Sequence, residues 1–283
     1  MEFLRPASWA EALAAKAEYP DAVPIAGGTD VMVELNFDRR RPPAMLDLTR
    51  IEALTEWAPE NGSLRVGAGV TYRRIIDELG DPLPGLAMAA RTVGSPQIRN
   101  RGTVGGNLGS ASPAGDAHPA LLATDAVVEL ASLRGVRRVD IAEFFLGPKR
   151  SVLAPDELIA AFLVAPAEGA QQFAKIGTRN AMVIAVCSFG LALHPGSRRV
   201  GTGIGSAAPT PRRAADAEAF SAELPWDSRP ALPDAALRRF AELVGAAAAP
   251  IDDVRGTAAY RRHALTVLAR RTLSWAWEAY RCA

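Results

Sequence analysis

What this chain lacks narrows its chemistry before its contents are considered. Among 283 residues there are two cysteines, Cys187 and Cys282, and three histidines, His118, His194 and His263. The cysteines are far apart and the histidines fall in unrelated contexts. Neither a disulfide framework, nor an iron–sulfur ligand set, nor a histidine-rich metal site can be read from them. No apolar run approaches the length that crosses a bilayer, and no basic segment followed by an apolar one opens the sequence, so a cytoplasmic protein without a membrane span is expected. Lysine and arginine number 32 against 31 acidic residues, with no tail of one sign, so a nucleic-acid partner is not expected. Two nucleotide signatures are also missing. Neither G-x-G-x-x-G nor G-x-x-x-x-G-K-[ST] occurs, which speaks against an ordinary Rossmann site and a P-loop.

Hydrophobic residues make up 49% and charged residues 22%, an ordinary folded composition, and the length suits two or three domains. Ser8 with Glu11 before an alanine-rich run reads as a capped helix, and a short strand at 22–25 then runs into a glycine turn. An apolar segment at 31–35 and a strand at 44–48 complete a small lobe, residues 1–57. A second unit, 58–167, holds a strand at 63–66, helices at 71–79 and 86–93, and a glycine-rich loop from 102 to 116. It continues with a helix at 118–124, paired strands at 126–131 and 136–141, and a strand at 158–164. Beyond a linker-like Ala-Pro-Ala-Glu-Gly, residues 168–283 open with strands at 172–176, 182–194 and 199–204 and end in helices. The last helix, 255–277, has an apolar face of Tyr260, Leu265, Leu268, Leu273 and Trp277. Strands followed by helices make the expected fold class α+β.

The most informative stretch is GTVGGNLGSASPAGD at 102–116, which sets five glycines beside small hydroxyl residues and ends on a carboxylate. So few wide side chains make poor core but let a ligand approach backbone N–H groups closely. Ala26-Gly27-Gly28-Thr29-Asp30 has the same chemistry, and two such loops suit the two halves of one pyrophosphate. Asp116 would repel phosphate, so it is expected to accept from a ribose hydroxyl or to brace the loop through its N–H groups. Gly67-Ala68-Gly69 and the glycine alternation at 201–205 read as turns or close-packing positions.

The two loops, Pro-Ile-Ala-Gly-Gly-Thr-Asp at 24–30 and Thr-Val-Gly-Gly-Asn-Leu-Gly-Ser-Ala-Ser-Pro-Ala-Gly-Asp at 103–116, resemble those of the medium, flavin-binding subunits of molybdenum hydroxylases. That group contains xanthine dehydrogenase and carbon monoxide dehydrogenase. The resemblance extends through Ser95-Pro96-Gln97-Ile98-Arg99-Asn100, Pro155-Asp156-Glu157-Leu158-Ile159, Phe173-Ala174-Lys175 and Asp253-Val254-Arg255-Gly256. It implies a two-lobed FAD-binding domain followed by a C-terminal α/β domain with a small sheet and helices. By the same resemblance FAD would contact Pro24, Ile25, Ala26, Gly27, Gly28, Thr29, Asp30 and Val31, and also Thr103, Val104, Gly105, Gly106 and Asn107. Asp116 would sit near its ribose, Leu153 and Lys175 would border the flavin, and Val93 would add an apolar wall. Lys175 beside the ring would stabilise negative charge on its reduced form.

The resemblance further implies an electron-transfer subunit with no catalytic residue or metal ligand of its own. A small partner would carry [2Fe–2S] clusters and a large partner the molybdopterin cofactor, in a heterotrimer that would itself be doubled. Electrons would leave through FAD to NAD+ or another acceptor, while a purine, another N-heterocycle or an aldehyde is oxidised on the large subunit. Ser151 departs from the threonine of many members but keeps the hydroxyl. With two cysteines the chain cannot build the cluster-bearing insert of some relatives. Two other readings stay open: a free-standing FAD oxidoreductase acting on its own organic substrate, and a non-catalytic assembly protein of the same fold.

Overall fold

Ser8 begins the first helix as its spacing from Glu11 predicts. Its hydroxyl accepts from the Glu11 N–H at 3.2 Å, and the Glu11 carboxylate reaches back to the Ala7 N–H at 2.8 Å. In the computed structural model, which describes residues Met1–Ala283, this helix α1 (Trp9–Glu18) joins β1 (Glu2–Leu4), β2 (Val23–Ile25), α2 (Val31–Asn36) and β3 (Ala44–Asp47) in a first lobe. The strands run parallel in the order β1-β3-β2, so each connection must cross over, and α1 and α2 supply the crossovers. Strand β1 has no sequence signal of its own and exists through its pairing with β3.

The second lobe is built on an antiparallel sheet in the order β4-β5-β10-β6-β7. It comprises β4 (Trp57–Glu60), β5 (Ser63–Gly67), α3 (Tyr72–Glu78), α4 (Pro84–Arg91), α5 (Pro96–Arg101), α6 (Val104–Ser110) and α7 (Ala117–Ala123). These are followed by β6 (Val127–Ser132), β7 (Gly135–Asp140), α8 (Ile141–Phe144), β8 (Phe145–Gly147), β9 (Arg150–Ser151) and β10 (Leu158–Val164). All seven residues of the central strand β10 are buried, which explains its uninterrupted apolar run. The change of sheet falls at Trp57, which pairs with Val66 in the second sheet.

The C-terminal part contains β11 (Gln171–Ile176), β12 (Cys187–His194), β13 (Arg199–Gly205), α9 (Ala215–Ser221), α10 (Asp234–Ala247) and α11 (Ala258–Arg281). Its antiparallel sheet β11-β12-β13 packs on the helices around a core of its own, which includes Phe189, Phe240 and Trp277. A separate core, with Leu46, Ile75, Leu121 and Phe162 among its members, serves the first two lobes together.

Glycines let the two cores approach. A Cβ on Gly190 or Gly203 would overlap the Pro119 carbonyl of α7, and one on Gly201 would overlap that of Ala123. The alternation at 201–205 is therefore a close-packing face, and Gly67 does the same against Leu54.

Three expectations are corrected here. The start of the expected loop is helical: Thr103 caps α6, its hydroxyl accepting from the Gly106 N–H at 2.9 Å. Strand β12 begins at Cys187 rather than 182, because Met182 takes a left-handed φ of 50° that breaks an extended ladder. Tyr260 is exposed on the first turn of α11, ahead of the turns that meet the sheet, so it is not part of the buried face.

A charged ladder crosses the outer face of the larger sheet. The Glu129 carboxylate receives Arg65 at 2.6 Å and Arg138 at 2.8 Å, and Arg138 also reaches Glu60. Burial alone would raise the Glu129 carboxyl, but the two arginines outweigh it and hold its pKa below the usual value.

Three variants test these contacts in thermal and denaturant unfolding. Gly203→Val lowers stability by at least about 2 kcal/mol, because the branched side chain must displace α7 from the sheet. Gly147→Ala, where a Cβ meets nothing within 4 Å, stays within about 0.5 kcal/mol of wild type. Glu129→Gln costs about 1–2 kcal/mol at pH 7, a figure discounted because both arginines are partly exposed. A depressed carboxyl adds stability above its unfolded pKa and loses it as pH falls through the folded one. The gap between Glu129→Gln and wild type therefore closes below about pH 4.5.

Candidate functional site

The two glycine turns meet. Strand β2 ends at Ile25, and the chain turns through Gly28 at φ 75°, a left-handed value that suits glycine, before α2 begins. A Cβ on Gly27 would overlap the Arg101 carbonyl group, and one on Gly102 would lie 3.4 Å from Thr29 Oγ1. The first lobe's turn thus lies directly against the α5–α6 junction of the second. None of the backbone N–H groups of Gly27, Gly28, Thr29 and Asp30 has a backbone acceptor within the protein. Such a row of free donors in a glycine turn suits an anionic ligand.

Adjacent glycines of α6 do different work. Gly105 is buried, and a Cβ there would overlap Ala68, so it lets the helix dock onto the segment after β5. Gly106 is exposed, with Thr103 Oγ1 at 3.1 Å as its sole Cβ neighbour within 4 Å. Val104 is a fully buried core residue. Asn107 links α6 to α7: its side-chain oxygen accepts from the Ala117 N–H at 3.4 Å, and its carbonyl accepts from His118 Nε2 at 3.2 Å.

His118 is completely buried against Phe145, at 4.6 Å between ring centroids. Burial pushes its pKa down to about 4, so the ring is neutral at pH 7 and its Nδ1 has no partner. It joins two helices, a structural task.

Asp116 does not brace its own loop as expected. Its Oδ2 lies 2.6 Å from Lys175 Nζ, which is also 3.3 Å from the Thr92 carbonyl oxygen. Only 7% of the lysine side chain and 11% of the aspartate side chain are exposed, so Lys175 is no solvated strand residue. Burial lifts the Asp116 carboxyl to about 6, against the opposing pull of Lys175 and the Thr92 side chain. The other carboxylate oxygen, Oδ1, is buried without a partner. Val93 follows Thr92 and is half-buried beside this pair.

Other candidates lie further out. Pro24 is exposed on the edge strand β2, Ile25 and Ala26 are half-buried, and Val31 opens α2. Leu153 packs against the core of the first two lobes, in a segment tied down by Arg137 bonding Glu157 and the Val152 carbonyl. Sequence reasoning missed Tyr72, whose ring lies under Gly102 and whose buried hydroxyl has no partner. A tyrosine at the start of an amphipathic helix reads as ordinary core, so no local signal marks it. The Lys149–Glu34 ion pair, which ties α2 to the β8–β9 hairpin, was also missed.

Free N–H donors, an outward-facing glycine on α6, and orphaned polar atoms on Asp116 and Tyr72 fit a large polar cofactor with a diphosphate. No group of His, Cys, Asp and Glu side chains is placed to hold a metal ion, and no helix is long and apolar enough to cross a membrane.

Comparison with known proteins agrees with this geometry. Residues 1–166 match the family described as the FAD binding domain in molybdopterin dehydrogenase, and residues 172–276 match the CO dehydrogenase flavoprotein C-terminal domain. The putative xanthine dehydrogenase FAD-binding subunit of Escherichia coli strain K12 is 32% identical over 283 residues, covering 95% of this chain and 94% of that one. The nicotinate dehydrogenase FAD-subunit of Eubacterium barkeri is 35% identical over 201 residues, 68% of each chain. Among solved structures, carbon monoxide dehydrogenase from Hydrogenophaga pseudoflava superposes with a TM-score of 0.90 at 28% identity, covering 100% of this chain and 98% of that one. The chain therefore belongs to the FAD-binding medium subunits of the molybdenum hydroxylases, flavoprotein components of multisubunit oxidoreductases.

Proposed function

We propose that this chain accepts electrons from [2Fe–2S] clusters of a small partner and passes them through FAD to NAD+ or another acceptor. In that assembly a large molybdopterin-bearing partner oxidises a purine, another N-heterocycle or an aldehyde, and the three-subunit unit is doubled. The relatives' substrates support the substrate class, since nicotinate dehydrogenase and xanthine dehydrogenase both act on N-heterocycles. A cytoplasmic location completes the proposal, in keeping with two free thiols on Cys187 and Cys282.

One observation carries the reading: the free N–H groups of 27–30 lie against the α5–α6 junction, with the buried Lys175–Asp116 pair beyond α6. FAD, when bound, supplies the exchange between one-electron and two-electron transfer. This chain's residues bind and orient it. The turn at 27–30 presents N–H groups to the diphosphate, α6 leaves room for it at exposed Gly106, Asp116 and Tyr72 present polar atoms within the fold, and Val93 and Leu153 exclude water. Gly67–Gly69 and Gly190–Gly205 hold the scaffold, and the expected lobes at 1–57, 58–167 and 168–283 become the parts whose junctions form the site.

The test is the purified chain's flavin spectrum, together with variants at the two glycines of α6. Gly106→Val is expected to fold with near wild-type stability and to bind FAD at least tenfold more weakly, a loss of about 1.4 kcal/mol or more. Gly105→Val is expected to lose stability first, through its overlap with Ala68. Wild-type FAD affinity in a folded Gly106→Val variant removes α6 from the site. A chain that neither carries nor takes up FAD overturns the functional reading, and turnover of an organic substrate by the isolated chain favours a free-standing oxidoreductase.

A further inference from the structure

The Lys175–Asp116 pair is a neutral unit sealed within the fold, and that changes what its lysine can do. An ammonium already bonded to a carboxylate at 2.6 Å exerts little net field on a neighbour. The aspartate is the soft member of the pair. It is buried, one of its oxygens is unpartnered, and one cation, Lys175, supports its charge.

The other cations of neighbouring elements are bonded elsewhere: Arg99 of α5 donates to the Val93 and Gly94 carbonyls, and buried Arg261 of α11 to the Ser206 carbonyl and Asp253. From α3 comes Tyr72, whose buried hydroxyl is held protonated by burial and by the charges of Asp116 and Asp30. Neutral His118 lies on α7 itself, and Thr92 directly follows α4. The other elements packed on α7 bring Arg91 of α4 and Glu143 of α8, which are exposed, and Cys187 of β12, whose thiol burial pushes up to about 12. His194 and Arg199 sit at the opposite end of α7, bonded to the Ala123 carbonyl and to Asp125.

We propose that Asp116 takes up a proton when the flavin is reduced, releasing Lys175 to pair with the negative charge added to the ring. The inference rests on the FAD reading above. The balance is simple: two electrons and one proton delivered to the ring add one negative charge, and one solvent proton bonded to an Asp116 carboxylate oxygen restores the net charge of the site. In the complex the iron–sulfur partner supplies the electrons. The carboxyl is already within reach of protonation at neutral pH, and a further negative charge nearby raises its proton affinity. Asp116 is thus a positioning residue, which sets how much of the Lys175 charge the cofactor feels.

The FAD-loaded chain, reduced with dithionite, is to be compared with its oxidised form by infrared difference spectroscopy at pH 7. Reduction of wild type is expected to produce a protonated-carboxyl band that moves when the aspartate carboxyls are isotopically labelled and is missing in Asp116→Asn. Potentiometric titration between pH 6.5 and 8.5 gives the second readout. Wild type takes up one more proton per electron pair than Asp116→Asn, a slope steeper by about 30 mV per pH unit for a two-electron couple. A loaded wild-type chain without the band overturns the inference alone, even where Asp116→Asn fails to fold. Equal proton counts in loaded wild type and Asp116→Asn overturn it too. A wild-type chain that takes up no FAD overturns both this inference and the functional reading.

Discussion

The contact of Gly27 with the Arg101 carbonyl is the constraint on which the candidate site depends. The first lobe is a parallel sheet, the second an antiparallel one, and no strand is shared between them. Their glycine turns touch because neither Gly27 nor Gly102 carries a side chain to hold them apart. A methyl group at residue 27 has nowhere to go but into backbone, so the lobes would have to separate and the row of free N–H groups would swing away from α6. The same device recurs at the other junction, where Gly190, Gly201 and Gly203 let α7 settle on the C-terminal sheet. This protein puts its glycines where backbones of different parts must come close, and the ligand site lies among those approaches.

That arrangement explains why a run of glycines need not be a ligand loop along its whole length. Gly105 and Gly106 are adjacent, yet the first is sealed against Ala68 while the second faces outward. A helix puts successive residues about 100° apart around its axis, so one glycine can serve packing and the next can leave room for a ligand. Helix formation here is itself a tertiary effect. Glycine costs about 1 kcal/mol per position relative to alanine, and the Thr103 cap together with the docking of Val104 and Leu108 in the core offsets that cost.

Much of the fold was legible in the sequence because its signals are local. Ser8 and Glu11 cap a helix within a few residues, 158–164 is apolar throughout because β10 is covered on both faces, and the α+β class followed from the order of strands and helices. What escaped depended on distant partners. Strand β1 is three residues long and defined by β3, more than forty residues later. Helix α6 reads as loop because its glycines are poor helix formers. The candidate site divides in the same way. The glycine turns were visible as composition, whereas the Asp116–Lys175 bond joins residues 59 apart and the unpartnered Tyr72 hydroxyl is set by what surrounds it.

The Asp116–Lys175 bond also joins the two cores. Asp116 immediately precedes α7, whose residues Ala117, Ala120 and Leu121 belong to the core of the first two lobes. Lys175 projects from β11, whose neighbour Ala174 packs on the C-terminal core. A bond of 2.6 Å across such a boundary tolerates little relative movement, and the glycine face under Pro119 fixes the separation it needs. Packing at the junction and electrostatics at the site are therefore one problem. A change that lifts α7 from the sheet draws Asp116 away from Lys175 without touching either residue, leaving a buried carboxylate that must protonate and a buried ammonium that must find another partner. The C-terminal sheet is in this sense a wall of the site as well as a scaffold behind it, which accounts for glycine at positions where a strand would otherwise favour branched side chains.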